Sequence, residues 1–289
     1  MLDLMIPPIV AALVILSIHA YLGLHVIARE VIFVDLAFAQ IAALGTTVGL
    51  WMGVEVGSPL SIMGALSFTL LGALIFSFTR MEDSPVPQEA IIGITYVVAS
   101  AAVILIAGFT AEGAEHIKET LTGTLIWVDW PTILQMTVVY LLIGGFHWVF
   151  RRKMLGVSFA PATVSRVRLW DFVFYVTFGI VISFSVEVAG VLMVFSALVI
   201  PAVIAFLYTT RFGVALGLAW AVGAVAIVGG IWASFVWDFA TGPFLVCAFG
   251  LTLALAFALR PLLGGPTGRR VTVASLEAPS PANAPTPGP

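Results

Sequence analysis

Long apolar runs separated by short polar connectors set the pattern of the chain. The runs lie near 6–28, 31–53, 59–79, 89–109, 132–150, 169–185, 188–208, 212–236 and 241–260. Most approach or exceed the roughly 20 residues that cross a bilayer as a helix. The connectors read "RMEDSPVPQE", "TAEGAEHIKET", "RRKMLGVSFAPATVSRVR", "YTTRFG" and "VWDFATGP". A membrane β-barrel alternates apolar and polar residues over short segments, and no such alternation occurs. The pattern predicts an all-α polytopic membrane protein with a bundle of about nine helices. The stretch "SVEVAGV" (185–191) reads either as a short turn between two spans or as a break within a re-entrant pair, which gives eight.

Composition sharpens this reading. Of 289 residues, 61% are hydrophobic and 9% charged, whereas soluble domains carry about 25% charged residues. The 27 glycines and eight tryptophans fit close-packed membrane helices with interfacial anchors. The single cysteine, Cys247, lies in an apolar run and forms no intrachain disulfide. The N-terminus lacks a basic n-region and reads as a first span, not a removable signal peptide. A net charge of −3 argues against a nucleic-acid partner.

The distribution of charge sets orientation. With the "RRK" connector inside, alternation places eleven of the twelve basic residues inside and only Lys118 outside. The positive-inside rule then predicts N-terminus out and C-terminus in. Residues 1–263 form the membrane domain. Residues 264–289, rich in proline and alanine, read as a disordered cytoplasmic tail.

Three polar residues interrupt the first two spans. Asp35 follows Arg29 by about 9 Å of helix rise and Gln40 by about 16 Å, while His19 precedes it by about 15 Å. Intramembrane acids default to functional hypotheses, because burying a carboxylate is costly. Asp35 alone, or a triad of Asp35, His19 and Gln40, has donors for a divalent cation. Alternatively, Asp35 complements a helix N-terminus and the other two hydrogen-bond between helices. Gly45, Gly49, Gly53 and Gly57 recur every fourth residue and predict a smooth packing strip on the second span, either in the bundle interior or at a subunit interface. His25 and His147 read as interfacial residues. In "EGAEHIKE", Glu112, Glu115, His116 and Glu119 share helical spacing, either to attract cations or as a solvated face. The long basic connector, with "SRVR" as part of a short amphipathic helix, offers either a grip for a cytoplasmic partner or a stop-transfer loop. Gly190, Ser196 and Pro201 share one span and suggest a kink. No G-x-x-x-x-G-K-[ST] loop occurs, so ATP hydrolysis of the P-loop type is not expected of this chain.

Four segments in register resemble the ABC-3 family, the permease subunits of zinc, manganese and iron importers. "VEVAGVLMVFSALVIPAVIA" resembles that family's glycine followed by a "LIIPA"-like ending. "DFATGPFLVCAFGLTLAL" is similar to its "D-x-x-x-G-P" helix entry, "EAIIGITYVVASAAVILI" to its "AIGI" segment, and "LTGTLIWVDWPTI" to its "FGDLL" stretch. The likeness covers roughly residues 8–262. It implies a dimeric permease core, either homodimeric or heterodimeric, in a bacterial inner membrane. It also implies cytoplasmic ATPase subunits that bind the ATP, an extracytoplasmic metal-binding protein, and a divalent metal ion as substrate, not as a bound cofactor. The ATPase-coupling region then falls on the connector with Phe159, Arg166 and Arg168, although the carboxylates of the family's "D-P-E-x-A-x-x-x-G" are missing there. The Asp–His pair of the family's "G-D-x-L-x-H-x-x-x-x-G" is also altered. Counted from Asp35 the histidine position is Ala39; counted from Gly45 it is Gln40. An amide oxygen in place of imidazole suits harder cations such as manganese.

The leading expectation is thus the membrane-spanning subunit of an ABC importer for a transition metal, with Asp35 the best cation contact. Two other classes stay open: an ion-gradient-driven secondary transporter, and a membrane assembly protein whose polar residues are helix glue.

Overall fold

A computed structural model describes residues 2–79, 86–110 and 113–265 of the chain. Nearly all of the tail expected at 264–289 lies outside the described residues, as do Arg80 and Glu112. The elements are α1 Leu2–Ala28, α2 Val34–Trp51, α3 Pro59–Thr79, α4 Gln88–Ala107, α5 Gly113–Thr122, α6 Trp130–Val149, α7 Arg151–Phe159, α8 Val167–Tyr208, α9 Phe212–Val236 and α10 Thr241–Leu263. Single 3-10 turns at Leu125–Trp127 and Pro161–Thr163 complete the order. Eight of the helices are long and apolar enough to cross a membrane.

The longest, α8, is two helices in one. Gly190 takes φ 73° and ψ 158°, a region essentially closed to residues with a Cβ. A straight 42-residue helix would be about 63 Å long. Yet Phe174 near its start and Phe212 just past its end both pack on His25, with ring centroids 5.6 and 5.9 Å away. The chain therefore folds back at Gly190, and the spans expected at 169–185 and 188–208 are the two arms of this hairpin. At the tip, Gly190 lies against the backbone of Thr122 and Gly123. A side chain on either glycine would collide with the other's main chain, so small residues are required on both sides. Pro201, expected as a kink, lies within continuous helix in the second arm.

The bundle thus has two ends. At one, the close of α1, all of α7, both ends of α8 and the start of α9 converge. At the other, α5 packs on the tip of the α8 hairpin. The core between them is aliphatic and aromatic. Phe38, Phe76, Phe174, Tyr175 and Phe178 stack across α2, α3 and α8. In α1, Gly23 lies directly under the Leu198 carbonyl and brings the second α8 arm into backbone contact.

The expected glycine strip needs correction. Gly45 does pack helix on helix, since a Cβ there would meet the Gly64 carbonyl oxygen at 2.6 Å. Gly49 faces only Val54. The helix ends at Trp51, so Gly53 and Gly57 fall beyond it at φ 84° and 79°, with nothing within 4 Å of an added Cβ. These two are turn glycines, chosen for backbone freedom and not for packing.

Candidate functional site

On α2, Asp35 is 2% exposed and its Oδ1 has no hydrogen-bond partner. Ala39, Ala43 and Thr46 follow it by four, eight and eleven residues and so share its helix face. Those three residues line a cavity of about 310 Å³ toward the α5 end, whose walls also include Ser61, Ser183, Glu119 and Glu187. Asp35 therefore sits about one turn beyond the cavity on the stripe of α2 that faces it. Glu89 at the start of α4 accepts a hydrogen bond from the Phe33 backbone N–H at 3.1 Å, two residues before Asp35.

The other members of the expected triad are placed differently. Gln40 is buried but does not line the cavity; five residues past Asp35, it is turned about 140° around the helix. His19 is wholly buried, with Nδ1 2.8 Å from the Ile15 carbonyl and its ring edge-on to Tyr140. No described hydrogen bond or ring contact links His19, Asp35 and Gln40. Among the described residues, no three or more His, Cys, Asp or Glu side chains are grouped closely enough to hold a metal ion. Ala39, four after Asp35, is the position that faces the cavity.

A second cluster lies at the other end. His25 and His147, expected at the interface, are 0% and 2% exposed. His25 Nδ1 lies 2.7 Å from Ser158 Oγ of α7, and Arg29 Nε donates to the same oxygen at 2.8 Å. Arg29 Nη1 donates to Asp171 Oδ1 of α8 at 2.9 Å, and the guanidinium lies 3.8 Å above the Phe174 ring. His147 bridges Thr177 at 2.8 Å and the Tyr21 hydroxyl at 3.2 Å. Side chains from the α1 end, α7 and α8 thus form one buried polar group and those of α1, α6 and α8 a second, the two touching through the Tyr21 and His25 rings at 4.6 Å. The signal in sequence was faint, because Arg and Asp at the ends of apolar runs usually face headgroups.

The expected coupling residues are near this cluster. Phe159, at the end of α7, packs on His25 and Phe212. Arg166 is exposed and left-handed at φ 58°, and Arg168 is exposed in the first turn of α8. The short helix of this connector is therefore "RRKMLGVSF" and not "SRVR". Its inner residues Met154, Leu155, Val157 and Ser158 are buried, while Arg151 and Arg152 are exposed.

A bundle of membrane-length helices, with a cavity near one end and a short docked helix at the other, defines a multi-span helical membrane protein. The model of the ABC 3 transport family matches residues 1–260, and the chain belongs to that family. It is accordingly a multi-pass protein of the cell membrane. The manganese transport system membrane protein MntC of Halalkalibacterium halodurans is 25% identical over 259 residues, covering 88% of this chain and 86% of that protein. The high-affinity zinc uptake system membrane protein ZnuB of Haemophilus influenzae is 20% identical over 267 residues, covering 91% and 100%. The solved structure of PsaBC from Streptococcus pneumoniae in complex with Fab has the same fold. Its TM-score is 0.72 at 22% identity, covering 87% of this chain and 90% of that one.

Proposed function

We propose that the protein is the membrane-spanning subunit of an ATP-binding cassette importer for a divalent transition metal, with manganese favoured over zinc or iron. The observation that carries this reading is the family match over residues 1–260. Manganese is favoured by the chemistry of the cavity. Its polar walls, including Glu119, Glu187, Ser61, Ser183 and Thr46, present carboxylate and hydroxyl oxygens. Oxygen donors suit Mn²⁺, whereas Zn²⁺ prefers imidazole and thiolate.

In this reading an extracytoplasmic binding protein delivers the ion to the α5 end. The cation passes through the cavity to Asp35, whose partnerless Oδ1 awaits a positive charge. A cytoplasmic ATPase docks at the basic end, on α7 and the exposed Arg166 and Arg168, and a second permease subunit, most simply another copy, completes the pathway. The N-terminus is outside and the C-terminus inside, because the basic residues gather at the α7 end while Lys118 lies on α5.

Uptake assays on cells expressing wild type or Asp35→Ala test the proposal. Wild type is expected to accumulate Mn²⁺ in an ATP-dependent manner, and the variant to lose at least about tenfold in rate at equal expression, the scale of removing one charged contact. Undiminished uptake removes Asp35 from the pathway. Purification without any associated ATPase, with uptake independent of ATP, sinks the importer reading itself and favours a gradient-driven transporter.

A further inference from the structure

The network around Arg29 ties α7 to the membrane helices by charge and hydrogen bonding as well as by packing, and unlike the exposed contact of Arg151 with Trp148 of α6 it is buried. α7 packs on α1, α6 and α8, and apolar contacts of that kind slide past one another at little cost. Ser158 is different. Its hydroxyl, on a residue 6% exposed, meets both His25 Nδ1 of α1 and Nε of Arg29, the residue just past that helix. The same guanidinium reaches Asp171 on α8, with the two charged side chains 2% and 1% exposed. Phe174, one turn further along α8, closes the guanidinium face at 3.8 Å. A planar fork held at two edges and one face has little freedom left. Breaking a buried ion pair costs far more than forming it gains, so such a pair yields as a unit or not at all.

We propose that Arg29 is a positioning residue for transport, a latch through which displacement of α7 moves α1 and the first arm of α8 together. From Asp171 the arm runs sixteen residues to Glu187, about 24 Å of helix. It therefore connects the α7 end directly to the cavity wall formed by Ser183 and Glu187. The Gly190 break lies just beyond, so the arm ends where the backbone already departs from helix. Ser158 is buried and so acts from within, not as a contact for the ATPase.

This inference rests on the importer reading, and its test separates the two. The permease is purified with its ATPase and reconstituted in vesicles. Phosphate release and uptake of Mn²⁺, Zn²⁺ and Fe²⁺, each supplied alone, are measured together. Absence of ATP-dependent uptake by the wild type defeats the importer reading, whatever the variants do. Given wild-type uptake, Ser158→Ala is expected to assemble with the ATPase and hydrolyse ATP. Its metal moved per ATP is expected to fall about tenfold, within the range of typical coupling energies. Ser158→Thr, which keeps the hydroxyl, is expected to restore the ratio. If Ser158→Ala does not fold, Arg29→Lys tests the same link, since lysine retains the charge for Asp171 but its single nitrogen replaces the two, Nε and Nη1, that reach Ser158 and Asp171 separately. An unchanged ratio in the variant overturns the latch. Loss of ATPase assembly also overturns it, by making Ser158 part of the docking surface.

Discussion

At the scale of single residues, substitution of Asp35 tests stability against function. A buried carboxylate oxygen without a partner is a cost that folding must carry. Asp35→Asn removes the charge at nearly constant volume. The thermal midpoint of the Asn variant in detergent is expected to equal or exceed that of wild type, while metal uptake falls. A lower midpoint with normal uptake would show Asp35 to be a structural acid only. The acid itself was legible in sequence, because a charge within an apolar run stands out. Its proposed partners were not. Depth along a helix is a matter of counting, but rotation depends on which neighbours press on each face. His19, Asp35 and Gln40 were matched by depth alone, and rotation turns Gln40 off the cavity-lining stripe. Arg29 and Asp171 were not legible as a buried pair for the complementary reason: each lies at a span end, where charge is ordinary, and only long-range packing seals them from water.

At the scale of elements, the hairpin in α8 depends on one residue. Gly190 combines a glycine-only backbone conformation with contact against Gly123. Gly190→Ala therefore incurs about 1–3 kcal/mol of strain, before any clash with the Thr122–Gly123 backbone. Thermal unfolding should show a clear fall in midpoint. Gly144→Ala in α6, where an added Cβ meets nothing within 4 Å, serves as the control and should show no fall. The spans on either side of the break were readable from their apolar length, and so was a break near 185–190. That the chain reverses there was readable too, as a turn between two spans; what was not is that the reversal turns on Gly190 itself, held against the Thr122–Gly123 backbone. A second local device is the cap of α6. Asp129 accepts from the Thr132 backbone N–H at 3.0 Å, and its hydrogen bonds to Thr132 hold its carboxyl below the usual carboxylate range. A depressed carboxyl stabilises the fold above its unfolded pKa, and that contribution disappears as pH falls through the folded value. Asp129→Ala should thus lower the midpoint at neutral pH and converge with wild type in acid.

At the scale of the whole molecule, the two ends of the bundle carry different chemistry. The α7 end gathers Arg29, Arg151, Arg152, Lys153, Arg166, Arg168 and Arg211, while α5 at the opposite end carries Lys118. The count of basic residues per connector was readable in sequence, and the fold adds that the basic connectors meet in space. Positive-inside insertion predicts that the α7 end faces the cytoplasm, the side from which an ATPase could reach it. Thiol labelling tests this directly. In a Cys247→Ser background, Lys118→Cys and Arg166→Cys each place one thiol at an exposed position, on opposite ends. A membrane-impermeant maleimide applied to intact spheroplasts should label Lys118→Cys at once and Arg166→Cys only after permeabilisation. The reverse pattern would put α7 outside, where no ATP is available. Docking of an ATPase there would then be impossible, so the orientation and the energy source of the permease stand or fall on the same measurement.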